Sequence, residues 1–131
     1  MSAITKEELI EQLKQVIKQH GFKKNKTTWR KSTDDITLVL NVQGSQWSKD
    51  DYYINIGVYI QALGTEQNPT ENVCHVRGRV EQNQAFDSLV KEVLDWFEKH
   101  GDITKLRLLH QQNKLPLMTM VKAKEYLDDS S

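Results

Sequence analysis

The sequence predicts an α+β fold: a four-stranded antiparallel meander, preceded by one helix and followed by others, in the order α-β-β-β-β-α-α-α. Three observations carry this. Residues 36–63 contain two alternating stretches, ITLVLNVQ and YYINIGVYIQAL, joined by the loop GSQWSKDD. Residues 5–20 and 84–127 instead repeat their apolar positions at helical spacing. The helices are expected on the apolar face of the sheet, because each side supplies a stripe that must be buried.

The first helix opens at Thr5, with Glu8 at capping-box spacing and Ile4 and Leu9 placed as a hydrophobic staple. Leu9, Ile10, Leu13, Val16 and Ile17 fall on one face. Gly21 is a natural left-handed stop, with Phe22 behind it able to pack back on Ile17. KKNK at 23–26 reads as a solvated turn, although such a run can also touch phosphate. The first strand is expected at 27–31 with Trp29 inward, and a turn at 32–35 leads into the second.

In the second and third strands, Ile36, Leu38, Leu40 and Val42, and Ile54, Ile56, Val58 and Ile60, form continuous apolar faces. The opposite faces read Thr37, Val39, Asn41, Gln43 and Tyr53, Asn55, Gly57, Tyr59, Gln61. Pairing Gln43 with Tyr53 sets Asn41 opposite Asn55 and Val39 opposite Gly57; a register shifted by two keeps the same faces. Residues 64–72 read as a loop. A fourth strand follows at 73–80, with Cys74, Val76 and Val80 inward, His75, Arg77 and Arg79 on the polar face, and Gly78 marking a weak point or a close approach.

The second helix is expected over 84–100 with Asn83 as cap and Phe86, Leu89, Val90, Val93, Leu94 and Phe97 as its buried stripe. Asp102 caps a third, and Pro116 opens a last helix that runs to Leu127, leaving 128–131 as a frayed tail. Whether the later helices wrap onto the polar face is left open by the pattern.

The 131 residues suffice for one domain, 1–131, with one core. Lys and Arg number 18, as do Asp and Glu, but residues 1–31 hold 8 basic and 3 acidic side chains while 32–71 hold 1 and 6. Zero net charge argues against non-specific binding to a nucleic-acid backbone. One cysteine, the lack of an apolar signal core at the start and the lack of a long apolar run lead us to expect a cytoplasmic protein with no membrane partner.

No catalytic kit is visible. His20, His75, His100 and His110 lack metal-ligand spacing, no cofactor fingerprint is present, and Cys74 and His75 are strand neighbours that point apart, so that Cys74 reads as a buried structural thiol. A composite site assembled by folding stays open. The lead is the polar face: Asn41, Gln43, Tyr53, Asn55, Tyr59, Arg77 and Arg79, with Arg30 as a further donor. Asn is disfavoured in strands, and Tyr, Arg and Asn together have the composition of recognition surfaces. The competing reading is a solvated face whose cross-strand polar pairs hold register. Trp47 in the hairpin loop is either a binding anchor or a cap on the core.

With GFKKNKTTW, NVQGSQW, YYINIGVYI and VCHVRGRV, the chain resembles the DUF4304 family of bacterial domains of unknown function, over residues 8 to 110 and most strongly around Gln43, Ser45, Asn55 and Gly57. The resemblance implies no activity. Some small bacterial domains of this sort look like immunity proteins of toxin systems, which implies a toxin-like protein partner occluded by the polar face. The neutral charge departs from the acidic inhibitors expected for basic nuclease toxins. The alternative is a small-molecule or nucleotide-binding domain, or a weak enzyme, with the same face as a pocket. Single-stranded RNA binding by sheet aromatics ranks third, since no RNP-type motif is present.

Overall fold

The structure is a computed structural model that describes residues 5–44, 51–82 and 84–128. The loop residues Ser45 and Trp47, and the expected cap Asn83, lie outside the described residues.

Helix α1 (Lys6–Lys18) starts where the sequence places it: the Thr5 hydroxyl accepts from the backbone N–H of Glu8 at 3.2 Å, a cap worth about 1 kcal/mol. Gly21 takes φ +88, a conformation that glycine adopts without a Cβ penalty. The chain then turns into the sheet.

Among the described residues the sheet has six strands, not four, in the sequential order β1 (Lys23–Asn25), β2 (Thr28–Ser32), β3 (Ile36–Gly44), β4 (Tyr52–Ile60), β5 (Val76–Val80) and β6 (Met118–Thr119). All neighbouring pairs are antiparallel. The added strands are the two edges. KKN is not a solvated turn but a three-residue strand, returned to β2 through Lys26 at φ 58. At the other edge, Pro116 and Leu117 do not begin a helix. They lead into β6, and the last helix, α4, spans Val121–Asp128. The Pro116 carbonyl instead accepts from the Thr119 hydroxyl at 2.7 Å.

Helices α2 (Phe86–His100) and α3 (Ile103–Gln111) complete the order. The start of α2 falls two residues after the expected one, behind Ala85, which supplies no side-chain cap. Asp102 does cap α3, accepting from Thr104 N at 2.7 Å.

One face of the sheet and all four helices share a core. Leu9, Leu13 and Ile17 of α1, Leu89, Val93 and Phe97 of α2, Leu106 of α3, and Ala123 and Leu127 of α4 meet Trp29, Leu40, Ile54, Ile56 and Val76. Trp29 is 1% exposed, and its indole N–H has no hydrogen-bond partner among the described residues. Phe22 packs its ring against Phe97 at 5.3 Å, in the same core cluster as Ile17. Gly78 is the close approach anticipated: a Cβ there would lie 2.8 Å from Nε1 of Trp96. The later helices thus bury their apolar residues on the inner side and leave the outer face to something else.

That something is the segment between β4 and β5. Its short 3₁₀ turn Glu71–Val73 brings Cys74 onto the outer face, where it clusters with Val39 and Tyr59. Cys74 therefore does not point into the main core. The strand begins at Val76, three residues later than expected, so the alternation read through Cys74 does not apply. A Cβ at Gly57 would sit 2.8 Å from the Cys74 Cβ and 2.9 Å from its Sγ. Gly57→Ala is accordingly expected to destabilise the fold by about 1–3 kcal/mol through overpacking, measured by urea unfolding. An unchanged midpoint would show that the segment yields freely.

Candidate functional site

The β3–β4 register is Gln43 opposite Tyr53, Asn41 opposite Asn55 and Val39 opposite Gly57, the first of the two pairings allowed by the pattern. It extends across the sheet: Asn25, Thr28, Asn41, Asn55 and Arg79 form one row of the outer face, and Lys23, Arg30, Val39, Gly57 and Arg77 the next. The candidate residues lie on one face, yet they do not form one site.

Residues 64–73 divide them. The phenol of Tyr59 accepts from Glu66 N at 3.0 Å, Arg30 Nε donates to the Pro69 carbonyl at 2.8 Å, and Arg77 pairs with Glu71 at 2.8 Å. Tyr59 is 3% exposed. Tyr59 and Arg77 thus serve as anchors for the covering segment rather than as docking groups, and the space above Gly57 is filled by Cys74. Burial, followed by the nearby Glu71 carboxylate, pushes the Cys74 thiol up to about 12. It stays protonated and donates to the Thr70 carbonyl at 3.6 Å.

The other half of the face is a connected cluster. Asn55, only 2% exposed, donates from Nδ2 to Gln43 Oε1 at 3.2 Å and accepts at Oδ1 from Arg79 Nε at 3.2 Å. The Arg79 guanidinium in turn lies 4.8 Å from the centroid of the Tyr53 ring, within cation–π range. Asn41 turns toward β2, donating to Thr28 Oγ1 at 2.9 Å and the Thr27 carbonyl at 3.3 Å. Gln43, Tyr53 and Arg79 are exposed. A hollow of about 230 Å³ opens beside Tyr53 and Arg79, bordered by Asp51, Glu81 and Gln82. The buried amide thus fixes two exposed side chains, and the arginine fixes a third. The result is an ordered aromatic and cationic surface.

His75 does not join this surface. It is 1% exposed, its ring lies 4.7 Å from that of Tyr59, and its Nδ1 accepts from Ile60 N at 2.9 Å. A nitrogen that accepts carries no proton, so the imidazole is neutral with its proton on Nε2. Burial, with Lys122 nearby, holds its pKa down to about 4. Burial likewise lowers His100, whose ring stacks on Trp96 at 4.2 Å. Among the described residues no group of three or more His, Cys, Asp or Glu side chains is gathered to hold a metal, and no helix is long and apolar enough to cross a membrane.

The sign of the pH effect follows from His75. Its folded pKa lies below its unfolded value near 6.5, so its contribution to stability is complete above pH 6.5. That contribution is lost as pH falls towards 4, because the unfolded chain takes up the proton first. The urea midpoint is expected to fall between about pH 7 and pH 5, and to fall less in His75→Gln, which retains an acceptor but cannot protonate there. Ring-nitrogen NMR shifts should keep the Nε2–H form at about pH 6; titration near 6.5 would contradict the assignment. His75→Leu should cost about 1–3 kcal/mol at neutral pH by leaving the Ile60 N–H buried and unpaired.

No curated protein and no solved structure matches the chain. The family described as a domain of unknown function, DUF4304, matches residues 13–115. This span contains the sheet from β1 to β5, the covering segment and the Asn55 cluster. The chain belongs to the DUF4304 family.

Proposed function

We propose that this domain is a binding protein that docks a protein partner on the open half of its outer sheet face, through Gln43, Tyr53 and Arg79, and occludes that partner in the manner of an immunity protein. One observation carries the reading: Asn55 is buried in the middle of the outer face and spends its amide on holding Gln43 and Arg79 in place. Tyr and Arg held rigid before contact lose little conformational freedom on binding, which is how a few side chains come to dominate an interface. A solvated face that merely keeps register has no need to order its exposed side chains. A buried thiol with no disulfide partner supports a cytoplasmic setting.

The small-molecule alternative is supported by the hollow next to Tyr53. At about 230 Å³ it falls below the roughly 300–1,000 Å³ of most ligand pockets, and this size favours a protein partner.

The test is affinity capture with the wild-type chain, with Tyr53→Ala and with Arg79→Ala. Tyr53→Ala is an exposed substitution that should leave the thermal midpoint nearly unchanged. Arg79→Ala also takes the partner from the buried Asn55 Oδ1 and should lower that midpoint, so capture is measured well below the midpoint of each chain. The expected result is a partner retained by the wild type and bound at least about tenfold more weakly by either variant, with the partner's own activity suppressed in the complex. Equal capture by all three chains would refute the assigned face. A thermal-shift response to a metabolite, abolished by Arg79→Ala, would favour the pocket instead.

A further inference from the structure

A second region, on the far side of the covering segment, has a different chemistry. A cleft of about 430 Å³ lies between the β1–β2 edge and the loop at 67–68, with Lys23, Lys24, Arg30, Lys31, Gln67 and Asn68 among its walls. No acidic residue lines it. Among the described residues, none of its four cations takes part in an ion pair, whereas Arg77, Lys91 and Lys105 elsewhere do.

Lysines on a short edge strand ordinarily guard it against pairing with another chain. That explains Lys23 and Lys24. It does not explain Arg30 and Lys31, which sit on the second strand and are half-buried. Nor does it explain why Arg30 is held by its Nε on the Pro69 carbonyl. Lys24 is paired with Trp29 and holds its ammonium over that ring, 5.8 Å from the centroid. The like charges of Lys23, Arg30 and Lys31 repel one another, and a bound anion relieves that repulsion while the amides of Gln67 and Asn68 add neutral donors.

We propose that this cleft binds a small metabolite that carries two or more phosphoryl groups. A phosphoryl monoester brings a charge of about −2 at neutral pH, so the three cations Lys23, Arg30 and Lys31 call for two such groups. The volume suits a ligand of metabolite size. No aromatic side chain lines the cleft, and single-stranded nucleic acid depends on such rings for stacking. The site shares no side chain with the Asn55 cluster, so it stands whether or not that cluster docks a protein.

Pyrophosphate is the probe. Calorimetry at low salt should detect binding that is at least about tenfold tighter than that of orthophosphate and that weakens as salt screens the charges. Amide NMR shifts should move at 21–32 and 67–68 and not around Asn55. Lys23→Gln combined with Lys31→Gln should weaken binding at least about tenfold, with Lys91→Gln, on the exposed face of α2, as the unaffected control. The NMR map of the wild type decides the matter should the double variant not fold. No pyrophosphate binding, equal affinity for orthophosphate, shifts elsewhere, equal weakening by the control, or tighter binding of a single-stranded oligouridylate would each overturn the proposal.

Discussion

The register between β3 and β4, unbroken from Ile36 opposite Ile60 to Gly44 opposite Tyr52, is the constraint on which the rest depends. With side chains alternating at a period of two, it decides which residues meet the helices and which meet the outside. Ile36, Leu38, Leu40 and Val42 line up with Ile60, Val58, Ile56 and Ile54 and commit the inner face to the core. A slip of one residue on either strand would expose that strand's row of isoleucines or leucines and bury its amides. No amide on the outer face would then find the partner it has now.

The outer face is consequently a place where polar groups must be satisfied by one another. Asn55 is the sharpest case, since it is as buried as a core residue yet faces outward. Burying an amide without partners costs about 1–3 kcal/mol, and it avoids this cost by bonding Gln43 on one side and Arg79 on the other. In the adjacent row Gly57 has the complementary role. Having no side chain, it leaves room for Cys74, and the segment 64–73 closes over Val39 and Tyr59 to make a small second core. One row is sealed by a loop, and the neighbouring row remains available.

Much of this is legible in the sequence: alternation gives the two long strands and their faces, capping-box spacing gives the helix cap at Thr5, and the Asn41–Asn55 pairing is one of the registers that the alternation allows. The edges are not. KKN carries no β-branched or aromatic residue and becomes a strand only because it can fold back on Thr28 to Arg30. Met118 and Thr119 pair with β5 through contacts that lie far apart in sequence. The roles of Tyr59 and Arg77 escape the pattern for a related reason. Their types suit recognition, but a loop of Gly, Asn and Pro gives no periodic signal of where it will lie. Its backbone groups, Glu66 N and the Pro69 and Thr70 carbonyls, together with the Glu71 carboxylate, reveal what it covers.

The covering segment also sets how independent the two polar regions are. Its Pro69 carbonyl fixes Arg30 on the side of the basic cleft, while its Glu71 carboxylate fixes Arg77 beside Gly57. Gln67 and Asn68 stand in the cleft wall itself. The cluster of Gln43, Asn55, Arg79 and Tyr53, by contrast, draws all its described bonds from β3, β4 and β5. Loosening residues 64–73 therefore disturbs the cleft and the small outer core together but leaves the cluster supported by the sheet. The cleft takes one wall from the loop, whereas the cluster rests on strands alone. The cluster is thus held by the sheet whatever the loop does, which is what the docking proposed for it requires.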